Sequence, residues 1–140
     1  MAKKTYQGSC HCGAVRFACD LDLSAGTMRC NCTFCRKARM WLAFAREGDF
    51  RLLAGADVLT DYQHTPPKMS EPFLHLAFCR TCGVRAFSRG GFLPAFGTSF
   101  HAVNLACLDD ATDDELAAAP IKYPDGRNDD WDTAAVHRYL

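Results

Sequence analysis

Cys10-His11-Cys12-Gly13 and Cys79-Arg80-Thr81-Cys82-Gly83 decide how this chain folds. Each is a close cysteine pair followed at once by glycine. Glycine accepts φ > 0 without steric cost, so the backbone after each pair can curl and aim its amides at the sulfurs. That is the knuckle chemistry of a structural zinc site, where N–H groups support the thiolates. Two pairs supply four thiolates, the tetrahedral set that zinc prefers. The other readings of the same pairs are an iron site or unligated core thiols. A zinc here ties Cys12 to Cys79 across 67 positions. Closing so long a loop with a metal contributes folding free energy on the order of 10 kcal/mol at neutral pH. His11 sits between two ligands and reads as a knuckle residue.

Between these pairs lies a different group, Cys30-Asn31-Cys32-Thr33-Phe34-Cys35, with Arg36-Lys37 in place of a closing glycine. Three ligands leave a tetrahedral zinc one position short, which is how catalytic zinc sites are built. The competing reading is a second structural zinc completed from elsewhere, with His75, His101 or Cys107 as the fourth ligand. Arg29, Arg36, Lys37 and Arg39 crowd the trio; cations there favour thiolate over thiol and suit substrate carboxylates. Three thiolates donate heavily, so a zinc they hold is a weak generator of hydroxide. It is better matched to an incoming fourth thiol, presented as thiolate to a carbonyl carbon. The trio therefore points to making or breaking a C–S bond.

Composition supports metal binding over disulfides. A chain of 140 residues with 49% hydrophobic and 23% charged residues buries a real core, so its nine cysteines are not needed as staples. Met1 to Ser9 is polar and has no apolar run, so no signal peptide is expected. No stretch reaches the length of a membrane span. A cytoplasmic location, with reduced thiols, is the expectation. Cys19 and Cys107 fall on apolar strand faces and read as buried core thiols. His64, His75, His101 and His137 have no mutual spacing that suggests a site.

Net charge is zero but uneven: residues 1–108 carry 13 Lys and Arg against 7 Asp and Glu, residues 109–140 carry 3 against 9. Two thiolate-bound zincs would leave the first part mildly positive, enough for a small anion and weak for nucleic acid. The expected partners are a small-molecule thiol and aldehyde, with no nucleic acid and no membrane.

Periodicity predicts a mostly β fold. Val15, Phe17, Cys19, Leu21 and Leu23 alternate as a half-buried strand. Further short strands are expected over 41–46, 50–53, 58–64, 73–78, 84–88 and 101–108, the last with Val103, Leu105 and Cys107 on one face. Thr112 with Glu115 forms a capping-box signature ahead of a short helix stopped by Pro120. Residues 32–39 include one helical turn. Tyr123-Pro124-Asp125-Gly126 is a turn, and 127–140 is a polar tail with Trp131 packed. The apolar stretch 89–100 is either an aromatic wall over the trio, favouring a bulky or apolar substrate, or a packed loop.

These residues carry a resemblance. Gly8-Ser9-Cys10-His11-Cys12-Gly13-Ala14-Val15, Cys30-Asn31-Cys32-x-x-Cys35-Arg36 and Phe78-Cys79-x-x-Cys82-Gly83 resemble the glutathione-dependent formaldehyde-activating enzyme family, also called the centromere protein V/GFA domain family. Val103-Asn104-Leu105-x-Cys107-Leu108 and Asp125-Gly126-Arg127 are similar to its C-terminal signatures. The likeness implies a single zinc-binding domain over residues 1–140, with its core at about 5–130. It also implies a fold of several small antiparallel sheets around a structural zinc, with at most short helices. That fold is shared with type B methionine sulfoxide reductases and a Rab-exchange zinc protein.

The family's structural zinc ligands match Cys10, Cys12, Cys79 and Cys82, and its catalytic zinc ligands match Cys30, Cys32 and Cys35. The implied activity is that of a carbon–sulfur lyase joining glutathione, as co-substrate, to formaldehyde. Two other readings stay open: a non-catalytic zinc interaction module, and a methionine sulfoxide reductase, which needs a free nucleophilic cysteine.

Overall fold

The computed structural model describes residues 3–140. Its first sheet has three antiparallel strands: β1 (Lys4–Ser9), β2 (Arg16–Leu21) and β5 (Phe50–Ala54), in the order β1-β2-β5. β1 was not expected from sequence, because its segment is polar. Only Tyr6 and Gly8 face inward from it; its pairing partner β2 supplies the apolar face, with Tyr6 opposite Cys19 and Gly8 opposite Phe17.

The second sheet is larger. It comprises β3 (Thr27–Met28), β4 (Leu42–Arg46), β6 (Leu59–His64), β7 (Leu74–Cys79), β8 (Phe87–Leu93), β9 (Thr98–Asn104) and β10 (Ile121–Lys122), in the order β10-β3-β4-β9-β8-β7-β6. Its pairs are antiparallel except β10 with β3. A two-stranded ribbon, β11 (Pro124–Asp125) with β12 (Asp130–Ala134), follows. The helices are short: α1 (Thr33–Ala38) and α2 (Asp113–Ala118). The mostly β architecture expected from sequence is therefore the one observed.

Period-two alternation on β4 and β9 splits the apolar residues between two cores. Ala43, Ala45 and Val103 face the three-stranded sheet and pack with Val15, Phe17, Cys19 and Phe87. Leu42, Phe100 and Ala102 face the other way and pack with Met40, Phe44, Phe73 and Phe96. Cys10 and Cys79 lie in the first core; Phe34 and Cys35 pack against the second. Each cysteine group thus has its own hydrophobic support.

Some boundaries differ from expectation. β8 starts at Phe87 and runs to Leu93, so the apolar stretch 89–100 is a hairpin with β9, turned by Pro94 to Gly97. Its Phe96 and Phe100 fill the second core, each about 5.5 Å from the Phe44 ring, while Phe92 is exposed. β9 ends at Asn104, whose side chain accepts the Ala106 amide and opens a 3-10 turn over Leu105–Cys107. Leu105 and Cys107 remain buried although they are no longer on a strand.

The Thr112–Glu115 capping box is present with both reciprocal hydrogen bonds. Pro124 and Asp125 form a strand, and the turn falls at Gly126–Asn128. Trp131 is 55% exposed, held by its Nε1–H to Asp129 and not packed as expected. No helix among the described residues is long and apolar enough to cross a membrane.

Candidate metal centres

The two glycine-backed pairs come together. Cys10 and Cys12 sit at the β1–β2 connection, Cys79 and Cys82 at the β7–β8 connection, so the cluster joins the two sheets. Both loops are built alike. The Cys10 amide donates to the Val15 carbonyl and the Cys79 amide to the Val84 carbonyl, at 3.0 and 3.1 Å. Gly13 and Gly83 then donate back to the carbonyls of Cys10 and Cys79, with φ of +80° and +76°. That conformation is costly for any residue with a Cβ, which is why glycine follows each pair.

The sulfurs converge with separations of 3.6 Å between Cys10 and Cys12 and 3.7 Å between Cys12 and Cys79. A zinc–sulfur distance of about 2.3 Å gives a tetrahedron with edges of about 3.8 Å, so this donor set fits zinc. Backbone amides point at it: Val15 N–H donates to the Cys10 sulfur at 3.3 Å. Amides of Cys12 and Val84 hold the Cys82 thiol down to about 6. Amides of Cys82 and Thr81 lower Cys79 as well. His11 is exposed and outside the donor set, as its position between two ligands suggested.

The trio also converges. The donor sulfurs of Cys30, Cys32 and Cys35 lie within 4.8 Å of one another, and no other His, Cys, Asp or Glu among the described residues joins them. Of the suggested fourth ligands, His75 is paired with Asp61, His101 is stacked on Phe50, and Cys107 is buried in the first core. Local backbone shapes the group. Cys32 caps α1, its sulfur accepting the Cys35 amide at 3.3 Å, and the Cys30 sulfur accepts the Cys32 amide at the same distance. Hydrogen bonds from Cys30 and Cys35 push the Cys32 thiol well below the ordinary thiol value, and both of those partners are raised in turn. Three soft donors at this spacing fit a zinc ion with a position to spare.

Sequence reasoning missed what holds the trio. Asn31 is buried between Cys30 and Cys32. Its amide donates to Asp125 at 2.8 Å and its oxygen accepts the Arg127 amide at 3.1 Å. Gly126 lies against Cys30 so closely that a Cβ would stand 2.3 Å from the sulfur. The Asp125-Gly126-Arg127 segment is therefore a brace for the trio. The available signal was a polar Asn between two ligand cysteines, a position where a buried amide needs a partner.

The cations are partly as expected. Arg29, Arg36 and Arg39 line a shallow crevice with Cys30, Cys35, Met40 and Leu140; Lys37 does not line it. Tyr139 engages two of these cations and a third nearby: Arg36 stacks over its ring at 5.5 Å, Arg39 donates to its carbonyl, and Arg127, outside the crevice, donates to its hydroxyl at 3.0 Å. Cys19 and Cys107 are buried at 0% and 8% exposure, and burial pushes their thiols up to about 12 and about 11. Neither is a competent free nucleophile.

The sheets and two converging thiol sets define a cysteine-rich β domain able to hold two metal ions. The sequence profile of the glutathione-dependent formaldehyde-activating enzyme family matches residues 5–122, and the chain belongs to that family. The crystal structure of a Rhodobacter sphaeroides protein from a structural genomics programme is similar in fold. It is 32% identical, with a TM-score of 0.64 over 83% of this chain and 99% of that one.

Proposed function

We propose that the chain is a zinc-dependent enzyme of the carbon–sulfur lyase type, which joins a thiol such as glutathione to an aldehyde such as formaldehyde. Family membership supports the substrate pair. The observation that carries the reading is the trio of thiols without a fourth protein donor among the described residues. In this reading Cys10, Cys12, Cys79 and Cys82 hold a structural zinc, and Cys30, Cys32 and Cys35 hold a catalytic one. A zinc held by three thiolates supplies soft Lewis acidity that lowers the pKa of an incoming thiol.

The chain's own residues bind and orient. Arg29, Arg36 and Arg39 line the crevice beside Cys30 and Cys35 and take the carboxylates of the thiol substrate. Asn31, Asp125 and Gly126 hold the trio in place, so that a thiol bound there would be oriented by a fixed donor set. In the reaction the thiol gives up its proton and a bond forms between sulfur and the carbonyl carbon. The carbonyl π pair takes up a proton, and the product is a hemithioacetal. With glutathione and formaldehyde that product is S-(hydroxymethyl)glutathione. Residues 1–140 act as one domain, and the unpaired thiols suit the reducing cytoplasm.

The test is the rate of S-(hydroxymethyl)glutathione formation above the uncatalysed rate, for the native chain and for Cys32→Ser. The native chain accelerates it and the variant does not. A native, zinc-loaded chain that gives no acceleration with glutathione or any other thiol tried would leave the trio as part of a non-catalytic interaction module.

A further inference from the structure

The last residues of the chain fold back over the trio. β12 ends at Ala134, and the Ala135 amide donates to the Tyr123 carbonyl at 2.7 Å. His137 then stacks its ring on that of Tyr123, with centroids 3.9 Å apart. A turn follows, in which the Leu140 amide donates to the His137 carbonyl at 3.0 Å. That turn delivers Tyr139 to Arg36, Arg39 and Arg127, and Leu140 to the crevice that Cys30 and Cys35 line. With Leu140 as one wall, the crevice has no interior room for a water molecule.

The hold on this segment is slight. Residues 136–140 belong to no strand and join neither hydrophobic core. Val136 is 74% exposed and Tyr139 40%. The segment is kept down by the Tyr123–His137 stack, the Arg36 guanidinium over the Tyr139 ring and a few hydrogen bonds. Exposed contacts of these kinds are individually weak. Segments that bury little apolar surface open at the low end of a protein's range of local stability. Arg36 and Arg39 are also cations that the proposed function assigns to the thiol substrate. Both already face Tyr139, and a thiol cannot enter a crevice without room. As long as the segment is down, the crevice is closed to a substrate.

We propose that residues 136–140 form a strap over the trio, hinged at Ala135, which closes the crevice in the free protein and is displaced when the thiol substrate enters. The identity of the displacing ligand rests on the proposed function; the cover itself rests on the contacts of Tyr139 and Leu140. His137 latches the strap from outside, since it touches Tyr123 and Ala135 and does not line the crevice. A ligand that binds only the open form has its affinity reduced by the open fraction, so a looser strap gives tighter thiol binding.

Zinc release from the zinc-loaded chain to the chelator pyridylazoresorcinol, followed by stopped flow, tests the cover without any substrate. The phase that Cys32→Ser lacks reports the trio. A chain without residues 136–140 releases that zinc about fivefold faster or more, the order set by losing several exposed contacts. Full-length His137→Ala, altered outside the crevice, accelerates the same phase by a smaller factor. The other phase, from the four-cysteine cluster, keeps its rate in both. An unchanged trio phase in both variants overturns the strap, and so does equal acceleration of both phases, which means general loosening. Glutathione then tests displacement. Its saturation of the full chain moves the NMR amide signals of residues 136–140 to random-coil positions, and its affinity rises about fivefold in their absence. Glutathione bound with those signals unmoved overturns the proposal. Faster zinc release with no glutathione binding to either chain upholds the cover and counts against the proposed function instead.

Discussion

Gly126 packs directly on the sulfur of Cys30, from a position 96 residues later in the chain, leaving no room for a Cβ, which would stand 2.3 Å away. The contact makes the C-terminal segment part of the trio's frame. Gly126→Ala must move either the Cys30 sulfur or the Gly126–Asn128 turn. The expected outcome is a loss of about 10- to 100-fold in affinity for the second metal equivalent, the usual effect of disturbing a group that supports a ligand. Chelator competition measures it. The first equivalent, held 67 positions apart by Cys12 and Cys79, keeps its affinity.

Arg85 links the two cysteine groups through packing. Its guanidinium lies 4.9 Å from the ring of Phe34, between Cys32 and Cys35, and 4.9 Å from that of Phe78, beside Cys79. It also donates to the Leu76 carbonyl at 2.8 Å. Arg85→Ala removes both ring contacts and is expected to cost about 1–3 kcal/mol in urea unfolding. Arg85→Lys recovers part of it, because an ammonium cannot lie flat between two rings.

His101 makes stability depend on pH. Its folded pKa is lowered, first by burial and then by Arg89. Above the unfolded value of 6.5 both states are neutral and nothing is lost. As pH falls below 6.5 the unfolded chain takes up the proton first, so stability declines until the folded pKa is passed. His101→Phe retains the stacking on Phe50 and removes the titration. Its stability, compared with the native chain, should fall less steeply from pH 6.5 downward in denaturant melts; equal slopes would contradict the assignment.

Tyr139 is in contact with Arg36 and Arg127, and under the proposed function it competes with a substrate carboxylate for those cations. Tyr139→Ala removes the ring and hydroxyl and frees both cations. The expected result is a KM for glutathione lowered by about two- to threefold, in keeping with the modest worth of exposed contacts, with kcat unchanged. A raised KM would mean that Tyr139 helps to bind the substrate.

The sequence was most legible where spacing is short and chemistry is specific. Both pairs, the trio and their partition into two groups are visible in 26 consecutive residues and one C-x-x-C. The Thr112 capping box is equally local, since a serine or threonine and a glutamate three positions apart satisfy each other. Long-range support was not legible. β1 has a polar sequence because only two of its residues face inward, and it is a strand through pairing with β2.

The 89–100 stretch was apolar enough to be noticed, but its hairpin depends on Gly90 lying under the Phe100 ring. Asn31 bonded to Asp125, Gly126 against Cys30 and Tyr139 among the arginines all join residues about a hundred positions apart. No periodicity reports such contacts. The tail that looked merely polar is what covers the trio, whereas Trp131, its largest apolar residue, is exposed.

Zinc content per chain, measured for the native protein and for Cys32→Ser with the fold followed by circular dichroism, tests the division of labour most directly. The account predicts two zincs in the native chain, with the trio's zinc responding to added glutathione. It predicts one zinc in a folded Cys32→Ser. Loss of both zincs together with the fold in that variant would contradict separate structural and functional roles for the two cysteine groups.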